Sequence, residues 1–128
     1  MKLRLLDNSV RLRLSIEEVD SLAAGEELSS VLIFPHGEAF GYALEASANR
    51  DSATASFNGK TLRFSAPVDE LKLWAATDAV TLAYTLSEGS KSMSVKIEKD
   101  FQCLAPRDDE DESNLFPHPR SESPDRHD

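Results

Sequence analysis

Ile16-Glu17-Glu18-Val19-Asp20-Ser21-Leu22-Ala23-Ala24-Gly25-Glu26-Glu27-Leu28 aligns without a gap to Val68-Asp69-Glu70-Leu71-Lys72-Leu73-Trp74-Ala75-Ala76-Thr77-Asp78-Ala79-Val80, and this match decides how the chain is read. Apolar residues recur at helical spacing in both stretches: Ile16, Val19, Leu22 and Ala23 in the first, Val68, Leu71 and Trp74 in the second. Ser15 and Glu18 stand at capping-box spacing, so the hydroxyl can accept from the Glu18 amide while the carboxylate reaches back. Gly25 suits a C-terminal stop, which predicts a helix over 15–24. Pro67 suits a helix start and predicts a second helix to about Ala76.

Alternation on either side predicts strands. Leu3 and Leu5 alternate with Lys2 and Arg4, and Val10, Leu12 and Leu14 alternate with Arg11 and Arg13, around a turn at Asn8-Ser9. Leu28 to Phe34 and Ala39 to Ala46 flank Pro35-His36-Gly37-Glu38. Ala53 to Phe57 and Lys60 to Ser65 flank Asn58-Gly59, and Val80 to Leu86 and Met93 to Lys99 flank Glu88-Gly89-Ser90. With a two-residue offset upstream, Asn8, Leu12-Arg13-Leu14 and Ser15 match Asn58, Leu62-Arg63-Phe64 and Ser65. Downstream, Phe40, Leu44 and Glu45 match Met93, Ile97 and Glu98.

The prediction is an α+β domain over residues 1–100, an internal duplication of a hairpin-helix-hairpin unit (1–47 and 53–100), followed by an acidic tail over 101–128. Two short helices cannot cover a broad flat sheet, so the eight strands are expected to form a mostly antiparallel, barrel-like sheet, the first strand closing against the last. Leu12, Leu14, Ile16, Val19, Leu22, Leu62, Phe64, Leu71, Trp74, Val80, Leu82 and Ile97 are the expected core.

Composition bounds the function. The formal charge is −9, of which residues 101–128 carry −5, and such a balance disfavours nucleic acid and anionic membranes as partners. No apolar run reaches the ~18 residues of a spanning helix. Charges at Lys2 and Arg4 argue against a secretory leader, and the single Cys103 suits a reducing compartment, so a cytoplasmic location is expected. P-loop, GxGxxG and GxSxG motifs do not occur, and no cofactor is expected.

Cut as β-α-β-β-β twice, the element order resembles the CYTH-type triphosphate-tunnel proteins, whose fold is a duplicated unit around a polar channel. The catalytic members of that family carry alternating glutamates on the first strand, where this chain reads Lys2-Leu3-Arg4-Leu5, so the resemblance implies the fold and not the catalysis. The ending, Glu98-Lys99-Asp100-Phe101-Gln102-Cys103-Leu104-Ala105-Pro106-Arg107 with Glu110-Asp111-Glu112 and Phe116-Pro117-His118-Pro119, is similar to that of a family of small uncharacterised bacterial proteins. The opening Asn8-Ser9-Val10-Arg11-Leu12-Arg13-Leu14 is similar to the same family, which implies a bacterial setting and no assigned activity.

Lys2, Arg4, Arg11 and Arg13 share the non-leucine face of the first predicted hairpin, with Arg63 matched to Arg13 in the repeat and Lys96 alternating against Val95 and Ile97. These six are the candidate anion-binding residues, since lysine and arginine hold phosphate or carboxylate through charge-assisted bonds. A solvated outer face accounts for the same pattern. The predicted function is a noncatalytic module binding an anionic small molecule or an acidic peptide or protein. The alternative is a metal-dependent enzyme on phosphorylated substrates with Glu45 and Glu98 as ligands. Cys103, His118, His36 and the carboxylates of 108–112 have no recognised metal-site spacing. Phe101, Leu104, Leu115 and Phe116 flank the acidic run, which predicts a tail partly docked over the basic face and disordered after about 120.

Overall fold

The computed structural model describes residues 1–49 and 51–101. In chain order the elements are β1 (Lys2–Leu6), β2 (Ser9–Leu14), α1 (Ile16–Ala23), β3 (Leu28–Ile33), β4 (Ala39–Ser47), β5 (Thr54–Phe57), β6 (Thr61–Pro67), α2 (Val68–Ala76), β7 (Thr81–Glu88) and β8 (Lys91–Lys99).

The Ser15 capping box forms as its spacing predicts, with the hydroxyl accepting from Glu18 N–H at 3.3 Å and Glu18 Oε1 accepting from Ser15 N–H at 2.9 Å. Helix α1 closes in a Schellman arrangement: Glu26 N–H donates to Ser21 C=O and Gly25 N–H to Leu22 C=O, with Gly25 at φ 97°. The N-terminal ammonium of Met1 also pairs with Glu18. Partial burial would raise the Glu18 carboxyl, but the bonds from the ammonium and from Ser15 outweigh it and hold its pKa below the ordinary value.

The strands form two open four-stranded sheets, in the orders β1-β2-β8-β7 (sheet A) and β3-β4-β6-β5 (sheet B). This corrects the expected closed barrel. The first strand pairs only with β2, and β2 lies parallel to β8, as β4 lies parallel to β6. The physical reason is the path of the helices: α1 carries the chain from β2 in sheet A to β3 in sheet B, and α2 carries it back from β6 to β7. Each helix packs on the other and on strands at the centres of the sheets, filling the space a barrel would have to close around. Each half therefore contributes one hairpin to each sheet. The two open sheets also overturn the CYTH-like tunnel.

The duplication itself is present, but pairing registers change its upstream alignment. Leu12 lies opposite Ile97, and Phe64 opposite Leu44. Because Ile97 and Leu44 are repeat counterparts, so are Leu12 and Phe64, without the two-residue offset. The turns agree, since Asp7 (φ 50°) and Gly59 (φ 95°) occupy the same place in their hairpins. Arg63 is thus the counterpart of Arg11, not of Arg13.

One hydrophobic cluster joins both sheets and both helices. Leu12, Leu14, Val19, Leu22, Phe64, Leu71, Trp74 and Ile97 are buried as expected, and Leu62 and Leu82 pack against them half-buried. Trp74 spends its polar edge on a 3.0 Å bond from Nε1–H to the Val80 carbonyl. Two expectations fail: Ile16, at the very start of α1, and Val80, just ahead of β7, are both exposed. Val10, Leu44, Ala66 and Val95 take core places the sequence did not single out.

Candidate functional site

Alternation on β2 turns Val10, Leu12 and Leu14 into the core and Arg11 and Arg13 outward. The registers with β1 and β8 then set rows across the outer face of sheet A. Arg4 lies opposite Arg11, and Arg11 opposite Lys96. One row further, Lys2 lies opposite Arg13, and Arg13 opposite Glu98. Five of the six candidate residues therefore share one surface.

The second row is partly neutralised. Arg13 Nε donates to Glu98 Oε1 at 3.2 Å, and Lys2 Nζ lies 2.9 Å from Asp100 Oδ2. Glu98 also stands 3.8 Å from Arg11 Nε, a diagonal and loose approach. Arg4 and Lys96 make no ion pair among the described residues. The row Arg4–Arg11–Lys96 continues to Ala83 on β7, so it contains three cations and no carboxylate.

Arg63 lies apart from these five, on the outer face of sheet B, where it pairs with Glu27 and stands 3.7 Å from Glu45. Its row reads Ser56–Arg63–Ala43–Ser29, which is the repeat counterpart of Arg4–Arg11–Lys96–Ala83. The framework is duplicated and the charge is not. What the sequence pattern missed was the separation of Arg63, because alternation fixes a face of a strand and leaves open which sheet holds it.

Glu45 and Glu98 belong to different sheets, and each stands beside arginine rather than beside another ligand. Among the described residues no group of three His, Cys, Asp or Glu side chains could hold a metal. His36 bonds Glu38 at 3.0 Å in the β3–β4 turn. Cys103, His118, the 108–112 carboxylates and the anchors Leu104, Leu115 and Phe116 lie outside the described residues. An open groove of about 990 Å³ runs between the β7–β8 turn and the start of β5, lined mainly by hydroxyl and small side chains such as Ser52, Thr54, Ser87 and Ser92. No helix among the described residues is long and apolar enough to cross a membrane.

The fold and this surface define a class: a duplicated α+β protein of two hairpin-exchanged sheets, one of them cationic on its outer face. By sequence, residues 1–120 match a family of unknown function, DUF7009, and the chain belongs to that family. This assignment takes the place of the resemblances to the tunnel proteins and to the small bacterial family. No curated protein and no solved structure matches the chain.

Proposed function

We propose that this chain is a noncatalytic binding module whose sheet A face takes an anionic ligand or an acidic peptide, with Arg4, Arg11 and Lys96 as the contact row and Lys2 and Arg13 beside it. One observation carries the reading. Like charges directly opposite each other on neighbouring strands are destabilising, yet this row holds three cations and no acid, while its counterpart on sheet B keeps the same backbone framework with one. Sheet B shows that the same framework forms with one cation in this row, and although Lys2 and Arg4 also blunt the β1 edge, the central Arg11 and Lys96 have no such part, which supports a ligand. Neighbouring strands lie about 4.8 Å apart, a spacing at which one phosphoryl or carboxylate group can bridge two cations.

No observation favours the metal-dependent enzyme, because Glu45 and Glu98 do not come together. The acidic run Asp108–Glu112 supplies a competitor within the chain, and the family match extends through it to residue 120.

Thermal shift and titration calorimetry on the full chain, with inorganic phosphate, tripolyphosphate and a polyglutamate peptide, each with and without magnesium, test the reading. Stabilisation by anion without magnesium, lost in Arg4→Ala and Lys96→Ala and kept in Arg63→Ala, is the expected result. A response that needs magnesium, or one that Arg63→Ala abolishes, overturns it.

A further inference from the structure

Among the described residues each sheet has two open edges: β1 and β7 in sheet A, β3 and β5 in sheet B. Exposed edges invite pairing with another chain, and soluble proteins blunt them with charge, brevity or polar side chains. Strand β1 carries Lys2 and Arg4, and β5 has only 4 residues. Strand β7 ends in Thr85-Leu86-Ser87-Glu88. Strand β3 carries no charge, and its polar side chains, Ser29 and Ser30, stand in its first half and leave the second half unprotected. It runs Leu28-Ser29-Ser30-Val31-Leu32-Ile33 and continues into Phe34 without a charge, and Pro35 comes only in the turn. Val31, Leu32, Ile33 and Phe34 are 59%, 56%, 66% and 42% exposed.

The repeat sharpens the contrast. Registers make Val31, Leu32, Ile33 and Phe34 the counterparts of Thr85, Leu86, Ser87 and Glu88. The duplication holds along both hairpins and breaks in character at this tip, where one copy is apolar throughout and the other is polar at every position but Leu86.

The backbone is oriented for pairing. Phe34 N–H donates to Glu38 C=O, so Phe34, Leu32 and Ser30 direct their main-chain groups toward β4. Gly41, opposite Val31, donates instead to Lys60 C=O on the far side. Ser29, Val31 and Ile33 therefore direct N–H and C=O out of the open edge.

We propose that a second copy of this chain docks on β3, joining two sheets B into one eight-stranded mixed sheet, antiparallel at the β3–β3 junction, about a two-fold axis. Pairing outward residues with outward residues, and placing Leu32 on the axis, sets Val31 against Ile33 of the second copy and gives the most apolar contact. Enclosing four apolar side chains and the edge backbone from each copy buries on the order of 1,000 Å² in total, the lower bound for a specific interface. Charge selects this edge as well. Two chains of formal charge −9 repel each other, and β3 is the long edge that brings no charged side chain into the contact.

Light scattering after size exclusion, and sedimentation over a concentration series in low and high salt, test this on the full chain. The expected mass is twice the 14.1 kDa of one chain, with association tightened by salt. Ile33→Lys should give the single-chain mass, and Thr85→Lys, at the counterpart of Val31 on β7, should not. Hydrogen exchange on the unaltered protein supplies an independent readout: the Val31 and Ile33 amides should be protected at high concentration and lose protection on dilution. A monomer at every concentration, or a dimer indifferent to Ile33→Lys, overturns the proposal. A monomer whose β3 amides stay protected on dilution also overturns it and assigns the cover to this chain's own residues beyond 101.

Discussion

Arg63 stands to Glu45 on sheet B as Arg11 stands to Glu98 on sheet A, with N···O separations of 3.7 and 3.8 Å. Both are diagonal contacts from a residue on β6 or β2 to the carboxylate two positions along the neighbouring parallel strand. The pair is a relic of the duplication, and what surrounds it has diverged. Glu98 also binds Arg13, whereas the residue at the corresponding place on β6 is Ser65.

Glu98→Gln removes the one carboxylate held between Arg11 and Arg13 and should raise phosphate and tripolyphosphate affinity several-fold. Glu45→Gln, the counterpart on sheet B, should leave it unchanged. Both should alter stability by less than about 1 kcal/mol, as expected for partly exposed ion pairs. Calorimetric titration together with urea melts of the two variants separates site electrostatics from folding.

Neutralising Asp108–Glu112 to Asn and Gln should raise anion affinity at low ionic strength, with the gain fading as salt is added. An unchanged affinity would leave the acidic run without a part in the site. The measurement is a titration of both proteins at two salt concentrations.

Trp74→Ala should cost about 3–5 kcal/mol, the range for deleting a large buried aromatic side chain. That is a large part of the roughly 5–15 kcal/mol by which domains are stable. Trp74→Phe should cost less, because the ring volume is mostly kept and the Val80 carbonyl still accepts from Lys99 N–H at 3.1 Å; its cost includes losing the indole bond to that carbonyl and removing Lys99 Nζ from over the indole, now at 5.5 Å. Urea midpoints of the two variants rank these effects.

Glu18 titrates below its ordinary range in the folded chain. Its contribution to stability is therefore fully present above the unfolded-state value of about 4.3 and is lost as pH falls through the lower folded value. Urea midpoints followed downward from about pH 6 should show this loss. Glu18→Gln should flatten that part of the profile, and Ser15→Ala should cost about 1 kcal/mol near neutral pH through the lost cap.

Local chemistry was legible in the sequence wherever it rests on nearest neighbours. The Ser15–Glu18 box, the Gly25 stop and the phase of Leu12 and Leu14 all form as read. Sheet membership was not legible, because a hairpin-helix-hairpin unit has the same pattern whether its helix folds back over one sheet or crosses to another. The upstream offset has a related cause. Sliding a strand by two residues keeps every side chain on its face, so Leu12 fits Leu62 as well as Phe64 by pattern, and only the pairing with Ile97 and Leu44 decides. For the site, alternation was enough to bring Lys2, Arg4, Arg11 and Arg13 together, and Lys96 joined them through the parallel pairing of β2 with β8. Arg63 was misplaced for the same reason that the barrel was expected.

The exchange of hairpins gives the two sheets unequal histories in a folding chain. Sheet B is assembled from consecutive strands, and its parallel seam joins Gly41 to Thr61; the seam of sheet A joins Ser9 to Ser94. Closing the longer loop costs about 1.3 kcal/mol more chain entropy on a simple logarithmic scaling. Contacts between distant residues also form late. Sheet B is thus positioned to form first, with α1 and α2 extending from it, and sheet A follows when β8 arrives beside β2. The cationic row is divided between the first strands made and the last, so a chain still being synthesised has no such row to offer an anion, and the surface comes into being only when the fold is complete.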